Sequence, residues 1–226
     1  MRSEEGWMHM RSKIESLFET RFLRLFDIRY AEGKHYFTAT RRTQEDMLAN
    51  MDDDAFRNML PDAVSCCVIL RTEGEEDRLL LTEEYRYPIG QFLLSVPAGL
   101  IDPEDRNAPR DEAIFRTAKR ELEEETGLQF GAKDEISLIS ACLLSSPGMT
   151  DESNAMVKMI LHEPDLTRLS NKGAVGSELF NGFRLLTVGE AKAVMEKGAD
   201  LDGRFFSTYT WIGIRAFLSE CGRENG

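Results

Sequence analysis

Residues 120–128 read R-E-L-E-E-E-T-G-L, and this nonapeptide decides most of what the chain discloses. Offsets of three and four residues share a helical face, so Glu121, Glu124 and Glu125 gather along one side of an amphipathic helix, beside Arg120. Gly127 stands where that helix should end, because glycine takes left-handed backbone without a Cβ penalty. Carboxylates near a helix C-terminus repel one another and also meet the negative end of the helix dipole. Such a cluster calls for a cation. All-oxygen ligands favour a hard one, Mg²⁺ or Mn²⁺.

The chain of 226 residues is long enough for one substantial core, or for one domain with an accessory segment. Its 42% hydrophobic and 30% charged residues are the proportions of a globular protein. A net charge of −12 argues against nucleic-acid and anionic-membrane partners, which need a basic surface. It fits a site whose negative charge a metal neutralises. The first ten residues, M-R-S-E-E-G-W-M-H-M, carry early acids and no apolar stretch, unlike a signal peptide. No apolar run reaches the roughly 18 residues of a membrane span. The expectation is a cytoplasmic protein. Cys66, Cys67, Cys142 and Cys221 show no C-x-x-C spacing and read as reduced core thiols. Three histidines at 9, 35 and 162 lack zinc-ligand spacing.

Trp7, Met10, Ile14, Leu17, Phe18 and Phe22 recur at helical spacing and predict an N-terminal helix. Residues 23–30 and 35–40 flank A-E-G-K as a hairpin. Residues 43–60 read as a helix, with Asp52, Asp53 and Asp54 on a solvated face rather than around a metal. Strands are expected at 63–70, 78–84, 92–96, 136–144, 155–161 and 183–188. Helices are expected through the acidic nonapeptide, at 190–197 and at 205–218. Many strands with few helices between them predict an α+β fold, helices packed on a mixed sheet. Residues 1–60 form an accessory region and 61–226 the main domain.

The nonapeptide and its surroundings resemble the Nudix hydrolases. Their box reads G-x5-E-x7-R-E-U-x-E-E-x-G-U, with U a bulky aliphatic residue. Arg120, Glu121, Leu122, Glu124, Glu125, Gly127 and Leu128 match its second half without a mismatch. The box glycine corresponds to Gly99 in V-P-A-G-L-I-D-P. The first box glutamate is either Glu112, with seven residues between it and Arg120, or Glu104. With Glu112, the loop after Gly99 is seven residues longer; with Glu104, the insertion lies between it and the helix. Seven residues are about two helical turns, so a helix extended upstream could absorb them, with Asn107 or Asp111 as its cap. Three stretches resemble the ADP-ribose pyrophosphatase subgroup: E-E-Y-R-Y-P-I-G-Q-F at 83–92, V-P-A-G-L-I-D at 96–102, and S-P-G-M-T-D-E at 146–152. Pro147 lies nineteen residues past Leu128, against about sixteen in the subgroup.

The resemblance implies an α/β/α sandwich-like fold with the box helix packed on the sheet. It implies hydrolysis of a nucleoside diphosphate linked to another moiety, foremost an ADP-sugar such as ADP-ribose, giving AMP and a sugar phosphate. A GDP-sugar, a dinucleotide, or a silent nucleotide-binding module are the alternatives. Glu121 and Glu125, with the Ala98 carbonyl and Glu112, are the implied ligands of Mg²⁺ or Mn²⁺. Glu124 lies close by, and Arg120 holds a carboxylate in place. Glu152 is the implied general base on a loop pivoting at Pro147 and Gly148, with Glu121 or Glu124 as rival bases. Arg86 either contacts a phosphate or ribose or forms a structural ion pair, and Gly99 and Gly148 line the substrate. Tyr85, Tyr87 or Phe92 would stack on a base. A homodimer is implied, residues 1–60 contributing to its interface.

Overall fold

The computed structural model describes residues 13–173 and 179–222. They fall into two compact units. One comprises Met1–Asp62 with Leu144–Ser153, the other Ala63–Leu143 with Asn154–Gly226.

The first unit is built on an antiparallel sheet of β1 (Ile14–Glu19), β2 (Arg24–Ala31) and β3 (Lys34–Thr40). The predicted N-terminal helix is corrected here. Trp7 and Met10 lie outside the described residues, but Ile14–Glu19 is a strand paired with β2 from Ile14↔Ile28 to Glu19↔Arg24. A bulge between Ser16 and Phe18 breaks the strand period of two. The apolar residues 14, 17 and 18 therefore imitate helical spacing. The expected hairpin forms, and Gly33 turns it with φ of 64°.

The long helix expected over 43–60 is also corrected. It is a 3-10 turn at Leu48–Asn50 followed by α1 (Asp53–Asn58), with extended backbone at Met51 between them. Asp52 caps α1, accepting from the amides of Asp54 and Ala55. Asp53 and Asp54 then occupy its first turn, where acids favour the helix dipole. The three aspartates thus serve a helix start.

The second unit holds a mixed sheet ordered β10-β5-β4-β9-β8, with β6 on β5 and β7 on β4. The strands are β4 (Ala63–Arg71), β5 (Arg78–Arg86), β6 (Gln91–Ser95), β7 (Ala98–Leu100), β8 (Glu135–Leu144), β9 (Ser153–His162) and β10 (Phe180–Leu186). β4 runs parallel to β9 and antiparallel to β5 and β7. Central β4 is buried from Ala63 to Leu70, the continuous apolar run of a strand covered on both faces. Its adjacent cysteines show the two layers. The Cys66 thiol reaches Ala118 of α2 (Arg110–Thr126), and the Cys67 thiol reaches Gly213 of α4 (Thr208–Cys221). Ile114, Ala118 and Leu122 of α2 are fully buried. On the other side Ile69, Leu79, Leu81 and Met156 pack with Ile214 and Phe217 of α4 and Val194 of α3 (Val188–Lys197). The architecture is α+β, with helices on both faces of a mixed sheet.

The extra residues after Gly99 do not lengthen the helix. They form a loop with a 3-10 turn at Asp105–Asn107, and α2 begins only at Arg110 behind Pro109, without a side-chain cap. Proline favours the first position of a helix or its threshold, because no amide is lost there. Two arginines of α2 hold the loop: Arg116 lies 3.9 Å from Asp105 and Arg120 3.2 Å from Asp102.

Candidate active site

α2 ends as its sequence predicts. Gly127 has φ of 72°, and its amide returns to the Glu123 carbonyl. On the buried side of the last turns, Glu121 and Glu125 are 7% and 3% exposed. Two acids so deeply covered need compensation, since burial disfavours the charged form. Arg120 supplies much of it. Its Nη1 lies 2.7 Å from Glu121 and donates at 2.9 Å to Glu124, and its Nη2 donates to the Leu100 carbonyl at 2.9 Å. Asp102 sits 3.2 Å from Nε but off the N–H axis, so Nε is left without a hydrogen bond. Burial alone would lower the guanidinium's pKa. The charges of Glu121, Asp102 and Glu124 outweigh it, and the net direction is up.

β7 faces this turn of the helix. The Ala98 amide donates to Glu125 at 3.4 Å. A Cβ on Gly99 would overlap the Glu121 carboxylate, so glycine is the residue that leaves it room. Beneath lies Cys66, whose thiol is pushed well above its ordinary pKa by burial, and then by Glu125 and Glu121.

The structure brings Ala98, Gly99, Arg120, Glu121, Glu124 and Glu125 together. It leaves Glu112 apart. Nine residues separate Glu112 from Glu121, about 13 Å of rise and half a turn out of phase. Glu112 is exposed and pairs with Arg116 one turn on. Glu104 is exposed in the preceding loop. Arg86 pairs with Glu84 at 2.6 Å. Tyr85 packs edge-on against both Tyr87 and Phe92, with centroids 5.1 Å apart in each pair.

Gly148 and Glu152 belong to the first unit. Gly148 accepts from the Tyr36 hydroxyl at 2.8 Å, and Glu152 pairs with Arg41 at 2.6 Å. The expected pivot at Pro147–Gly148 does not fit a loop fastened in this way. Asp62, also in this unit, was unforeseen as the anchor of Ser153. It is buried and takes the amide and hydroxyl of Ser153 at 2.9 and 2.8 Å, with Arg42 at 3.0 Å. Sequence reasoning also missed Asp102 and Arg41. The I-D-P that follows the box glycine, and the paired arginines closing a predicted strand, were their signals.

Among the described residues, no three His, Cys, Asp or Glu side chains stand close enough to enclose a metal. In kind the donors fit a hard divalent cation: oxygen only, two of them buried, and a clearance at Gly99 that a Cβ would fill. Arg120 now neutralises part of that charge.

A NUDIX domain model matches residues 59–206. The chain belongs to the Nudix family. Family members generally depend on a divalent metal. The chain is 30% identical over 119 residues to an ADP-sugar pyrophosphatase of Mus musculus, covering 53% of this chain and 50% of that one. It is 30% identical over 115 residues to an ADP-ribose pyrophosphatase of Saccharomyces cerevisiae, covering 50% and 44%. The chain thus spans about half the length of these curated relatives. A crystal structure of an ADP compounds hydrolase superposes with a TM-score of 0.55 at 17% identity, covering 94% of this chain and 95% of that one. That likeness shows the same fold.

Proposed function

We propose that the protein hydrolyses the pyrophosphate bond of an ADP-sugar, ADP-ribose foremost, to AMP and a sugar phosphate, with Mg²⁺ or Mn²⁺. The observation that carries this reading is the pair of buried carboxylates, Glu121 and Glu125, set beneath a glycine that leaves room for them. The substrate class is drawn from the relatives named above and from the P-A-G and S-P-G-x-T-D-E stretches.

Glu121, Glu125 and the Ala98 carbonyl would hold the metal, with Glu124 beside them. When bound, the ion neutralises phosphate oxygens and favours the charge that develops on them. Arg120 keeps Glu121 and Glu124 in place between turnovers. Glu152 is the general base. It takes a proton from water as the water oxygen bonds to phosphorus and the bond from that phosphorus to the bridging oxygen breaks. The bridging oxygen leaves with the electron pair, on the second phosphate. Arg86 is partly exposed and turns to a substrate phosphate by exchanging Glu84 for it. Glu112, held by Arg116 at the far end of the helix, has no part in this arrangement.

The protein is proposed to be cytoplasmic and homodimeric, with no nucleic-acid or membrane partner. No helix among the described residues is long and apolar enough to cross a membrane.

A panel of nucleoside diphosphate sugars with Mg²⁺, scored by the nucleotide released, tests the substrate. AMP from ADP-ribose is the expected product. GMP from a GDP-sugar at higher kcat/KM would replace the substrate assignment. Glu121→Gln and Glu125→Gln should each abolish Mg²⁺-dependent turnover, and full activity in both would sink the metal assignment.

A further inference from the structure

We infer that Arg41 is a positioning residue for the Glu152 carboxylate, the two lying in the same unit. The inference rests on the reading of Glu152 as general base.

The loop carrying Glu152 is fastened residue by residue. The Tyr36 hydroxyl donates to the Gly148 carbonyl at 2.8 Å. The Ala39 amide donates to the Met149 carbonyl at 2.9 Å, and Ala39 bridges to Thr150 in parallel register. Thr38 donates to the same Met149 carbonyl at 3.3 Å. The Leu48 amide donates to Asp151 at 3.2 Å, and the Glu152 amide donates to the Thr150 hydroxyl at 3.1 Å. Just beyond, Ser153 is held by buried Asp62. The segment is in effect an added edge on β3.

These bonds fix the backbone of residue 152 but not its carboxylate. That is the task of Arg41, on the residue after β3 ends. Its Nε donates to Glu152 Oε1 at 2.6 Å. Among the described residues only Oε1 of that carboxylate is engaged. Nε is the least mobile donor of a guanidinium, held close to the chain, so a bond through it restricts the partner's torsion angles. Oε2 is left to receive a proton. A charge-assisted bond of this kind is directional as well as strong.

The two side chains are 42% and 36% exposed. A pair so accessible to water adds little to folding stability. Its loss should therefore appear in turnover rather than in the melting temperature. Among the described residues the Arg41 side chain bonds Glu152 alone, while its carbonyl accepts from Arg24 at 2.9 Å whatever the side chain. The side chain of its neighbour Arg42 instead serves Asp62, Ser153 and Leu60.

The test measures kcat, KM and melting temperature for Arg41→Ala, Arg41→Lys, Glu152→Gln and the double variant Arg41→Ala/Glu152→Gln, with ADP-ribose and saturating Mg²⁺. Glu152→Gln should lower kcat by about 10²-fold or more, as loss of a general base does. Arg41→Ala should lower kcat by about 10- to 100-fold, the usual effect of losing a supporting partner, with KM and melting temperature close to wild type. Arg41→Lys should recover part of the loss. The double variant should be no slower than Glu152→Gln alone, because a positioned group that is absent cannot be mispositioned. Three results overturn the inference: Arg41→Ala turning over at the wild-type rate, a loss confined to KM, or a double variant showing the product of both losses. Full activity in Glu152→Gln would instead remove the base assignment itself.

Discussion

Gly99 and Glu121 explain one another. A carboxylate 7% exposed at the end of a helix has to lie against something, and it lies across the β7 backbone where a side chain would otherwise stand. The substitution Gly99→Ala should push Glu121 out of place. Metal affinity is then expected to fall by about tenfold, the scale of losing a ligand's support. Titrating activity with Mg²⁺ checks this, and a half-saturating concentration equal to wild type would refute it. The glycine was legible in V-P-A-G, but the expected role was contact with substrate, whereas its observed role is to clear space. Sequence spacing reports which residues recur and not which atoms collide. The same limit hid Asp102 as a neighbour of Arg120, since the seventeen intervening residues include an irregular loop. It also left Arg86 and Glu112 open. Each has a carboxylate or arginine two to four residues away, and such local partners are common on any surface.

At the level of elements, the strongly periodic ones read well and the capped ones read best. β4, β5, β9 and the acidic helix stand where the pattern put them: the strands as apolar runs buried on both faces, the helix as a one-sided stripe. α3 carries a capping box: the Thr187 hydroxyl accepts from the Glu190 amide, and Glu190 accepts in turn from the Thr187 amide at 2.9 Å. Thr187→Ala should lower stability by about 1 kcal/mol, read as a shifted midpoint of urea denaturation. The box also predicts a pH dependence. The Glu190 carboxyl lies below its ordinary range, first through the Thr187 amide bond, then the Thr187 hydroxyl, both overcoming burial. A group lowered on folding stabilises the fold above its unfolded pKa. That contribution is lost as pH falls through the lowered value. The stability gap between wild type and Glu190→Gln should therefore be larger at pH 6 than at pH 4, and a gap that widened on acidification would contradict the box. In the failed elements an irregularity interrupts the period: a bulge shifts the alternation of residues 14–19, and extended backbone at Met51 breaks 43–60.

For the whole molecule, the first unit raises the question of what covers it. In β2, Phe26 is buried. On the opposite face Asp27 is buried as well, but the apolar residues around it are exposed. Pairing places Phe18 opposite Leu25 and Phe37 opposite Asp27, and Leu25 and Asp27 are two residues apart, so Phe18, Leu25 and Phe37 share a face. Phe18 is 62% and Phe37 58% exposed in the single chain. An antiparallel sheet with one wet face normally turns polar residues to it. This face carries the Glu15, Asp27, Arg29 and His35 network, and the large apolar side chains beside it are what the proposed dimer would cover. The proposed homodimer uses a second copy of this chain as that cover. Sedimentation at micromolar concentration should then give twice the 25.7 kDa chain mass. Phe37→Asp places a charge in the middle of the contact and should shift the population to monomer while the melting of the second unit is preserved, because Phe37 belongs to the first unit's own sheet. A wild-type monomer would remove the dimer. A Phe37→Asp dimer as tight as wild type would move the interface off this face.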